Sequence, residues 1–251
     1  NNVHSVVYLE KKVPLKKVER MTLDDGTMIT LNAGTTLKYP RRFNGKTREV
    51  FLNGEAYFKV KHDKDHPFVI HTKYIDIRDV GTEFNVKAYP QDKTTEATLI
   101  KGAIEIVMKE NPASRILLTP YEKGTFYKER SVLTKSITDS VAKTSDADDM
   151  DSEANIHFKV SSVIPRSADS LIAETAWMEN ELVFKSESFE DLALRLERWY
   201  GVKIIFKAKQ AQQYRFTGTF IHETVQQALT ELQMIRPFHF TIYQNQVVIT
   251  E

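Results

Sequence analysis

Three histidines in the first half of the chain, His62, His66 and His71, could supply the ligands of a metal ion. Imidazole nitrogens bind several transition metals, and together with Asp63 or Asp65 these side chains could form a site like that of a cupin metalloenzyme. However, the residues between His62 and His66 have the composition of an exposed turn, whereas metal ligands need rigid strands and supporting hydrogen bonds. The sequence favours the turn, so we predict no metal site, and the cupin-like metalloenzyme stays open as an alternative.

Two groups of carboxylates could also take part in chemistry. The Asp24–Asp25 pair could serve in acid–base catalysis, but it stands directly before Gly26, where aspartate is favoured because it bonds to the backbone of a turn. The acidic run Asp146–Glu153 offers calcium ligands, yet it has Asp151 where a calcium-binding loop needs glycine and His157 where the loop needs glutamate. We therefore predict a hairpin turn at the first place and a solvated linker at the second.

The sequence lacks the short motifs of common enzymes. It contains no glycine-rich dinucleotide or phosphate loop, no serine nucleophile motif of the G-x-S-x-G type and no H-E-x-x-H zinc motif. Its 251 residues include no cysteine, which excludes disulfides, zinc–thiolate sites and cysteine nucleophiles. We predict that the protein is not an enzyme, has no catalytic residue and binds no cofactor.

The composition indicates a globular protein of one large or two small domains. Hydrophobic residues make up 41% and charged residues 27% of the chain, which is too apolar for disorder and too polar for a membrane protein. The net charge of +1 gives no general attraction for nucleic acid, so we predict no nucleic-acid partner. Because the first residue is Asn1, we expect a fragment or a processed form whose targeting segment lies outside the sequence.

From Val18 to Tyr127 hydrophobic and polar residues alternate, and turn residues such as Asn53-Gly54 interrupt the alternation at a spacing of about ten residues. This pattern predicts an all-β domain over residues 1–130, built as a sandwich, a barrel or a solenoid-like stack of antiparallel strands. Residues 131–172 are rich in Ser, Thr, Asp, Lys and Glu, which predicts a polar linker or insert.

The hydrophobic period changes over residues 173–251. A strand at Glu181–Phe184 precedes a helix at Ser186–Tyr200, with Ser188 as its N-cap and Gly201 as its stop. The arrangement then repeats, so we predict a small module of two βαβ units and a closing hairpin, and the whole chain is mainly β plus α+β. The remaining predicted elements are strands Val202–Phe206 and Arg215–Phe220, helix Thr224–Ile235, and strands Phe238–Tyr243 and Val247–Thr250.

Several blocks of the sequence share the order and spacing of a known family. The blocks are Leu23–Thr27, Arg48–Val60, Pro67–Ile70 and Val80–Tyr89 in the N-terminal part, and Ala176-Trp177, Leu182–Phe184, Leu196–Val202, Phe216–Gly218 and Ala228-Leu229 in the C-terminal part. The N-terminal blocks closely resemble the periplasmic part of FecR-type anti-sigma regulators. The C-terminal blocks are similar to the secretin/TonB short N-terminal (STN) module that follows it in members from Bacteroidetes-like bacteria. The sequence departs from the family pattern at Asp79, where an apolar residue is usual, and at Tyr121, where glycine is usual.

The resemblance implies a single-pass inner-membrane signal transducer. Its cytoplasmic part, outside this chain, would hold an extracytoplasmic-function (ECF) sigma factor, and its periplasmic part would receive a signal from a TonB-dependent outer-membrane transporter. This chain would be the periplasmic part, soluble by itself and membrane-anchored in the full-length protein.

The predicted C-terminal module offers sheet edges to a partner, because an unpaired strand can accept another strand through its backbone. We predict that the N-terminal signalling domain of the transporter docks on strands Val202–Phe206 and Arg215–Phe220, which a polar turn joins. The alternative is that both strands lie inside the sheet. The predicted partner-binding residues are Val202, Ile204, Phe206, Phe216, Thr217 and Thr219.

A carbohydrate-binding or carbohydrate-active β-domain is the main competing hypothesis. Exposed, coplanar aromatic rings on one face would support it, whereas burial of Trp177 and Trp199 would count against it. Of these two, Trp199 falls on the apolar face of the first C-terminal helix, and we expect Trp177 to be a plug at a domain interface.

Overall fold

The computed structural model of the chain describes residues 6–128, 158–165 and 172–251. Within these ranges the chain forms a β-rich N-terminal region and a C-terminal module, and none of its helices is long and apolar enough to cross a membrane. The N-terminal strands are β1 (Tyr8–Lys12), β2 (Glu19–Thr22), β3 (Met28–Leu31), β4 (Thr36–Pro40), β5 (Arg48–Lys59), β6 (Phe68–His71), β7 (Ile75–Asp79), β8 (Glu83–Ala88), β9 (Thr94–Lys101), β10 (Ile104–Met108), β11 (Arg115–Leu118), β12 (Glu122–Tyr127) and β13 (Phe158–Ser162). The C-terminal elements are β14 (Leu182–Ser188), α1 (Phe189–Tyr200), β15 (Lys203–Phe206), β16 (Arg215–Phe220), α2 (Val225–Ile235), β17 (His239–Tyr243) and β18 (Gln246–Thr250), with short 3₁₀ helices at Ala176–Glu179 and Lys209–Gln213.

The long strand β5 organises the N-terminal sheet. Its first half pairs with β4 and, in parallel, with β6, and its second half pairs with β3 and β8. Gly54 stands where the partners change, with a φ of +131°, and a side chain there would collide with the backbone of Thr35. The turn predicted at Asn53-Gly54 is therefore wrong, because this glycine permits a close approach inside one continuous strand.

All thirteen strands described in the N-terminal region belong to one sheet that encloses a single apolar core. The only parallel pair along it, within the described residues, is β5 with β6. The fully buried rings of Phe58, Phe68 and Phe84 meet in the core, with Phe58 stacked on Phe84 at 5.5 Å between centroids. Burial of such rings is among the largest favourable contributions to a fold of this size. The predicted all-β character of this region is confirmed, and its strands are antiparallel, as predicted, except for the β5–β6 pair.

One strand of this sheet comes from the segment predicted as a polar linker. β13, in which Phe158 is half-buried, pairs with β12 in the antiparallel sense. The sequence pattern did not predict it, because five residues between polar stretches give too short an alternation. The acidic run Asp146–Glu153 lies outside the described residues, as does much of the predicted linker.

The C-terminal module consists of two interlocked β-α-β units followed by a hairpin strand. The first strands of the units, β14 and β16, pair with each other, whereas β15 pairs in parallel with β18, which also pairs with β17. Each helix contacts one strand of each sheet, α1 touching β14 and β15, and α2 touching β16 and β17. The predicted order of strands and helices, mainly β plus α+β, is confirmed.

Local signals fix the ends of the first helix. Ser188 accepts a hydrogen bond from Asp191 N (3.2 Å) as the predicted N-cap, and Gly201 ends α1 in the left-handed conformation with a φ of +65°. The fully buried ring of Phe189 then meets the rings of Phe206 and Phe216 edge to face. These contacts hold α1 against both small sheets of the module. They therefore set the direction in which the polar face of α1 points.

Candidate docking site and interdomain cleft

The three histidines do not converge on a metal position. His66 Nδ1 lies 3.0 Å from Asp63 Oδ2 within its own turn, and His71 Nδ1 lies 2.9 Å from Asp76 Oδ1 on the neighbouring strand. His62 packs against the backbone of Gly81. Across residues 6–128, 158–165 and 172–251, no three His, Cys, Asp or Glu side chains are grouped so that they could hold a metal ion.

The aspartates before Gly26 form a turn, as predicted. Asp25 Oδ1 accepts a hydrogen bond from Thr27 N (2.9 Å), and Asp25 Oδ2 accepts from Thr27 Oγ1 (2.7 Å) and from Arg48 Nη1 (2.6 Å). The Arg48 side chain is buried and also donates to the carbonyls of Lys61 and His66. Every oxygen of the Asp25 carboxylate is thus engaged in holding the hairpin against β5.

The two tryptophans do not form an exposed platform. Trp177 is buried, and Trp199 is half-buried and packed against the core of the C-terminal module. Their burial counts against a carbohydrate-binding face, which would need exposed, coplanar aromatic rings.

The six residues predicted to bind a partner lie on or next to two strands that each pair on one side only within the described residues. Most of their side chains point towards the core of the module. Ile204 and Phe216 are buried, Val202, Phe206 and Thr219 are half-buried, and Thr217 is exposed. A partner of these strands would therefore bind mainly to their backbone. Whether each strand can accept a partner depends on whether its outward N–H and C=O groups are already hydrogen-bonded.

The free edge of β15 is covered by a carboxylate. Lys203 N donates to Asn245 O (2.7 Å) and Lys207 N to Ile249 O (2.8 Å), so the intervening Ile204 directs its N–H away from β18. That N–H donates to Glu197 Oε1 of α1 at 2.7 Å, and the same carboxylate pairs with Lys203 Nζ at 3.0 Å. Charged groups that occupy an edge in this way oppose the addition of another strand.

The free edge of β16 is open as far as the described residues extend, since no described strand other than β14 pairs with it. The carbonyl of Val183 on β14 accepts a hydrogen bond from Arg195 Nη2 at 2.8 Å, so this carbonyl points away from β16. Val183 lies opposite Thr219 in the antiparallel register. Two opposed residues in an antiparallel pair either exchange both backbone hydrogen bonds or direct their N–H and C=O groups away from each other. Because the Val183 carbonyl points away from β16, the N–H and C=O of Thr219 point to the unpaired side of β16.

A cleft of about 460 Å³ separates the N-terminal sheet from the module. The wall on the sheet side comes from β5, β8, β9, β12, the turn after β8 and the loop after β3. The wall on the module side comes from β14, α1, the start of β16 and the residues around Trp177. Both walls carry charges of both signs. The charged residues on the sheet side are Glu55, Lys87, Asp92, Lys93, Glu96 and Lys123, and those on the module side are Glu174, Lys185, Glu187, Asp191, Arg195, Arg198 and Arg215.

Arg198 of α1 makes a bidentate contact across the cleft. Its Nη1 and Nη2 donate to Asp92 Oδ1 (2.7 Å) and Asp92 Oδ2 (3.1 Å), and its guanidinium lies 3.9 Å from the ring centroid of Tyr89. Burial acts to raise the pKa of Asp92, but Lys87 and Arg198 outweigh it, so this pKa lies below its ordinary value. The main-chain carbonyl of Arg198 accepts a hydrogen bond from Lys16 N at 2.9 Å.

Three further ion pairs cross the same cleft. Lys93 Nζ lies 2.5 Å from Glu190 Oε2 and 3.1 Å from Asp191 Oδ1 in the first turn of α1, and Lys123 Nζ lies 2.9 Å from Glu174 Oε1. None of the charged residues that pair across this cleft was predicted from the sequence, although Trp177, which was expected to be a plug at a domain interface, is buried and lines the cleft. A strongly charged face on α1 was visible in the sequence, but its partners lie about 100 positions away and nothing local identified them.

The chain matches two family models. The FecR protein model matches residues 15–105, the FecR C-terminal model matches residues 181–249, and together they cover more than half of the chain. Two crystal structures of a "putative anti-sigma factor" from Parabacteroides distasonis, at 1.65 and 2.50 Å resolution, share the fold with a TM-score of 0.78 at 24% sequence identity. The similarity covers 97% and 98% of this chain, respectively, and 99% of each of those chains. No curated protein matches in sequence. The chain belongs to the FecR family, as its resemblance to FecR-type anti-sigma regulators predicted.

Proposed function

We propose that this chain is the periplasmic sensory part of a membrane-anchored anti-sigma regulator. Membership of the FecR family supports this role, and the Parabacteroides distasonis protein with the same fold carries the name of an anti-sigma factor. The ECF sigma factor would be held by a cytoplasmic part outside these residues.

The partner of the periplasmic part is the N-terminal signalling domain of a TonB-dependent outer-membrane transporter. It docks on the C-terminal module by adding a strand to β16. The observation that carries this proposal is the open backbone of β16, with the N–H and C=O of Thr219 directed away from β14. The other predicted edge, β15, is the weaker candidate because Glu197 occupies the N–H of Ile204.

Signal transfer in this proposal needs no bond to be made or broken. A transporter with bound cargo presents its signalling domain differently from an empty one, and the module responds through the difference between the two binding free energies. Strand addition suits such a switch because backbone pairing gives affinity, while the side chains beside it select the partner.

Proline at one position tests the docking edge. Thr219→Pro removes a backbone N–H that points outwards, so the β14–β16 ladder keeps its hydrogen bonds while the partner loses one. Thr219→Val is the matched control, because it keeps the N–H and removes only the hydroxyl group. We expect Thr219→Pro to weaken binding of the purified signalling domain by about tenfold or more, measured by calorimetry, and Thr219→Val to bind like the unaltered chain.

Two results would contradict the proposal. Equal affinities for Thr219→Pro and the unaltered chain, with circular dichroism showing both to be folded, would remove β16 as the docking edge. Absence of binding between the unaltered chain and any transporter signalling domain encoded in the same genome would remove the partner itself.

A further inference from the structure

Most ion pairs across the cleft between the N-terminal sheet and the module come from one helix of the module. Three of the residues that pair across it, Glu190, Asp191 and Arg198, lie on the single helix α1. The rest of the cleft has charged walls and a volume of about 460 Å³. Because water can solvate charges on both walls, widening this cleft exposes little apolar surface and loses little of the hydrophobic stabilisation of either region.

The helix α1 also contacts the loop between β1 and β2. Residues 13–18 connect β1 to β2, and Lys16 in this loop adopts a left-handed conformation, with a φ of +66°. Lys16 N donates to the carbonyl of Arg198, and the Lys16 side chain packs on Gly201, the residue that ends α1. The loop is therefore attached to the very turn of α1 that carries the ion pair to Asp92.

We propose that the last turn of α1 is a clamp, formed by Arg198 with Asp92, Tyr89 and Lys16, that fixes the module to the sheet and to the loop of residues 13–18. The role of this clamp as a relay for a docking event rests on the proposed function. The clamp itself does not depend on the identity of any partner.

A short series of contacts joins the proposed docking edge to the clamp. Thr219 of β16 lies opposite Val183 of β14, and the Val183 carbonyl accepts a hydrogen bond from Arg195 of α1. Arg195 also pairs with Glu187 of β14 at 2.6 Å, so α1 follows any shift of the β14–β16 sheet. One helical turn further along, Arg198 contacts both Asp92 and Lys16. A displacement of β16 would reach residues 13–18 through one rigid helix.

Distance measurements between spin labels test the clamp directly. The chain has no cysteine, so labels can be attached at Lys46→Cys on the sheet and Gln226→Cys on the module, both at exposed positions. We expect a single narrow distance distribution in the otherwise unaltered chain. Arg198→Asp places two carboxylates together and should add a second, longer distance. The double variant Asp92→Arg with Arg198→Asp restores an opposite pair and should bring back the narrow distribution.

A reference pair separates opening from unfolding. Labels at Lys209→Cys and Gln226→Cys both lie in the module and should keep one narrow distance in every variant. Hydrogen exchange gives the second measurement, since the amide of Lys16 should exchange faster in Arg198→Asp and return to the slow rate in the double variant.

Three results would overturn the clamp. They are a broad distribution between Lys46→Cys and Gln226→Cys before any clamp residue is changed, an unaltered narrow distribution in Arg198→Asp, or a double variant as broad as the single one. The experiment uses this chain alone. Failure of a transporter domain to bind would therefore count against the proposed function and leave this result untouched.

Discussion

The N-terminal sheet and the C-terminal module use their strands in different ways. In the sheet, β5 pairs with four neighbours, and the strands enclose one continuous core. In the module, the strands are shared between two small sheets, and β15 and β16 each pair on one side only within the described residues. The sheet therefore has the properties of a frame, and the module has backbone groups available to another chain. Between them lies a charged cleft, which separates two apolar cores that do not merge.

The largest expected effects come from two matched core substitutions, one in the N-terminal sheet and one in the module. They test whether the two regions unfold together. Phe58 in the sheet and Phe189 in the module are both fully buried phenylalanines at the centre of a ring cluster. Phe58→Ala and Phe189→Ala should each lower the free energy of unfolding by about 4 kcal/mol, because each leaves a cavity. Differential scanning calorimetry and tryptophan fluorescence would follow the two variants.

The shape of the transition sharpens the comparison. If α1 ties the two regions together, both variants shift one shared transition to lower temperature. Two separate transitions, each moved by only one of the substitutions, would show that the regions are stable independently and that the cleft contributes little coupling.

The next effect concerns the ion pair that joins the two regions. Asp92→Asn leaves the guanidinium of Arg198 without its carboxylate and removes one of the two carboxylates, Asp92 and Glu96, that act on the ammonium of Lys87, which should cost about 3 kcal/mol near pH 7. The pKa of Asp92 is held below 3.8 in the folded chain, so its stabilisation is present above pH 3.8 and is lost as the pH falls through the folded value. The difference between the two proteins should therefore shrink in acid. A constant difference in urea denaturation from pH 7 to pH 2 would contradict this expectation.

The smallest effect is confined to the module. Ser188→Ala removes the side chain that accepts from Asp191 N at the start of α1 and should cost about 1 kcal/mol. Ser188→Thr is the control, because threonine keeps a hydroxyl that can accept from Asp191 N and donate to the Asp191 carboxylate. If the alanine variant loses nothing in chemical denaturation, tertiary packing of Phe189 alone determines where α1 begins.

Much of the local structure could be predicted from the sequence because its causes are local. The N-cap at Ser188, the stop at Gly201, the hairpin at Asp24–Gly26 and the strand Arg215–Phe220 all follow from residue type and hydrophobic period, and all are confirmed. The first helix starts at Phe189 and not at Ser186, since β14 continues to its cap.

The features that were missed have causes far away in the sequence. Asp79 stands where an apolar residue is usual in the family, yet it is buried at the end of its strand: its carboxylate accepts a hydrogen bond from Gly81 N at 2.8 Å, and burial raises its pKa. Gly54 was predicted to lie in a turn, because no neighbouring residue in the sequence indicates that the backbone of Thr35 packs against it. The role of Arg198 depends on Asp92, and no pattern of period two or 3.6 relates residues at that separation.

The carboxylate of Glu197 on the edge of β15 has a consequence for the behaviour of many copies in solution. Two modules could otherwise join β15 of one to β16 of the next, and because that contact uses two different surfaces it could repeat without end and build a fibre. Glu197 removes one of those two surfaces while the other stays available. The hydrogen bond from Ile204 N to Glu197 therefore opposes such an assembly of modules.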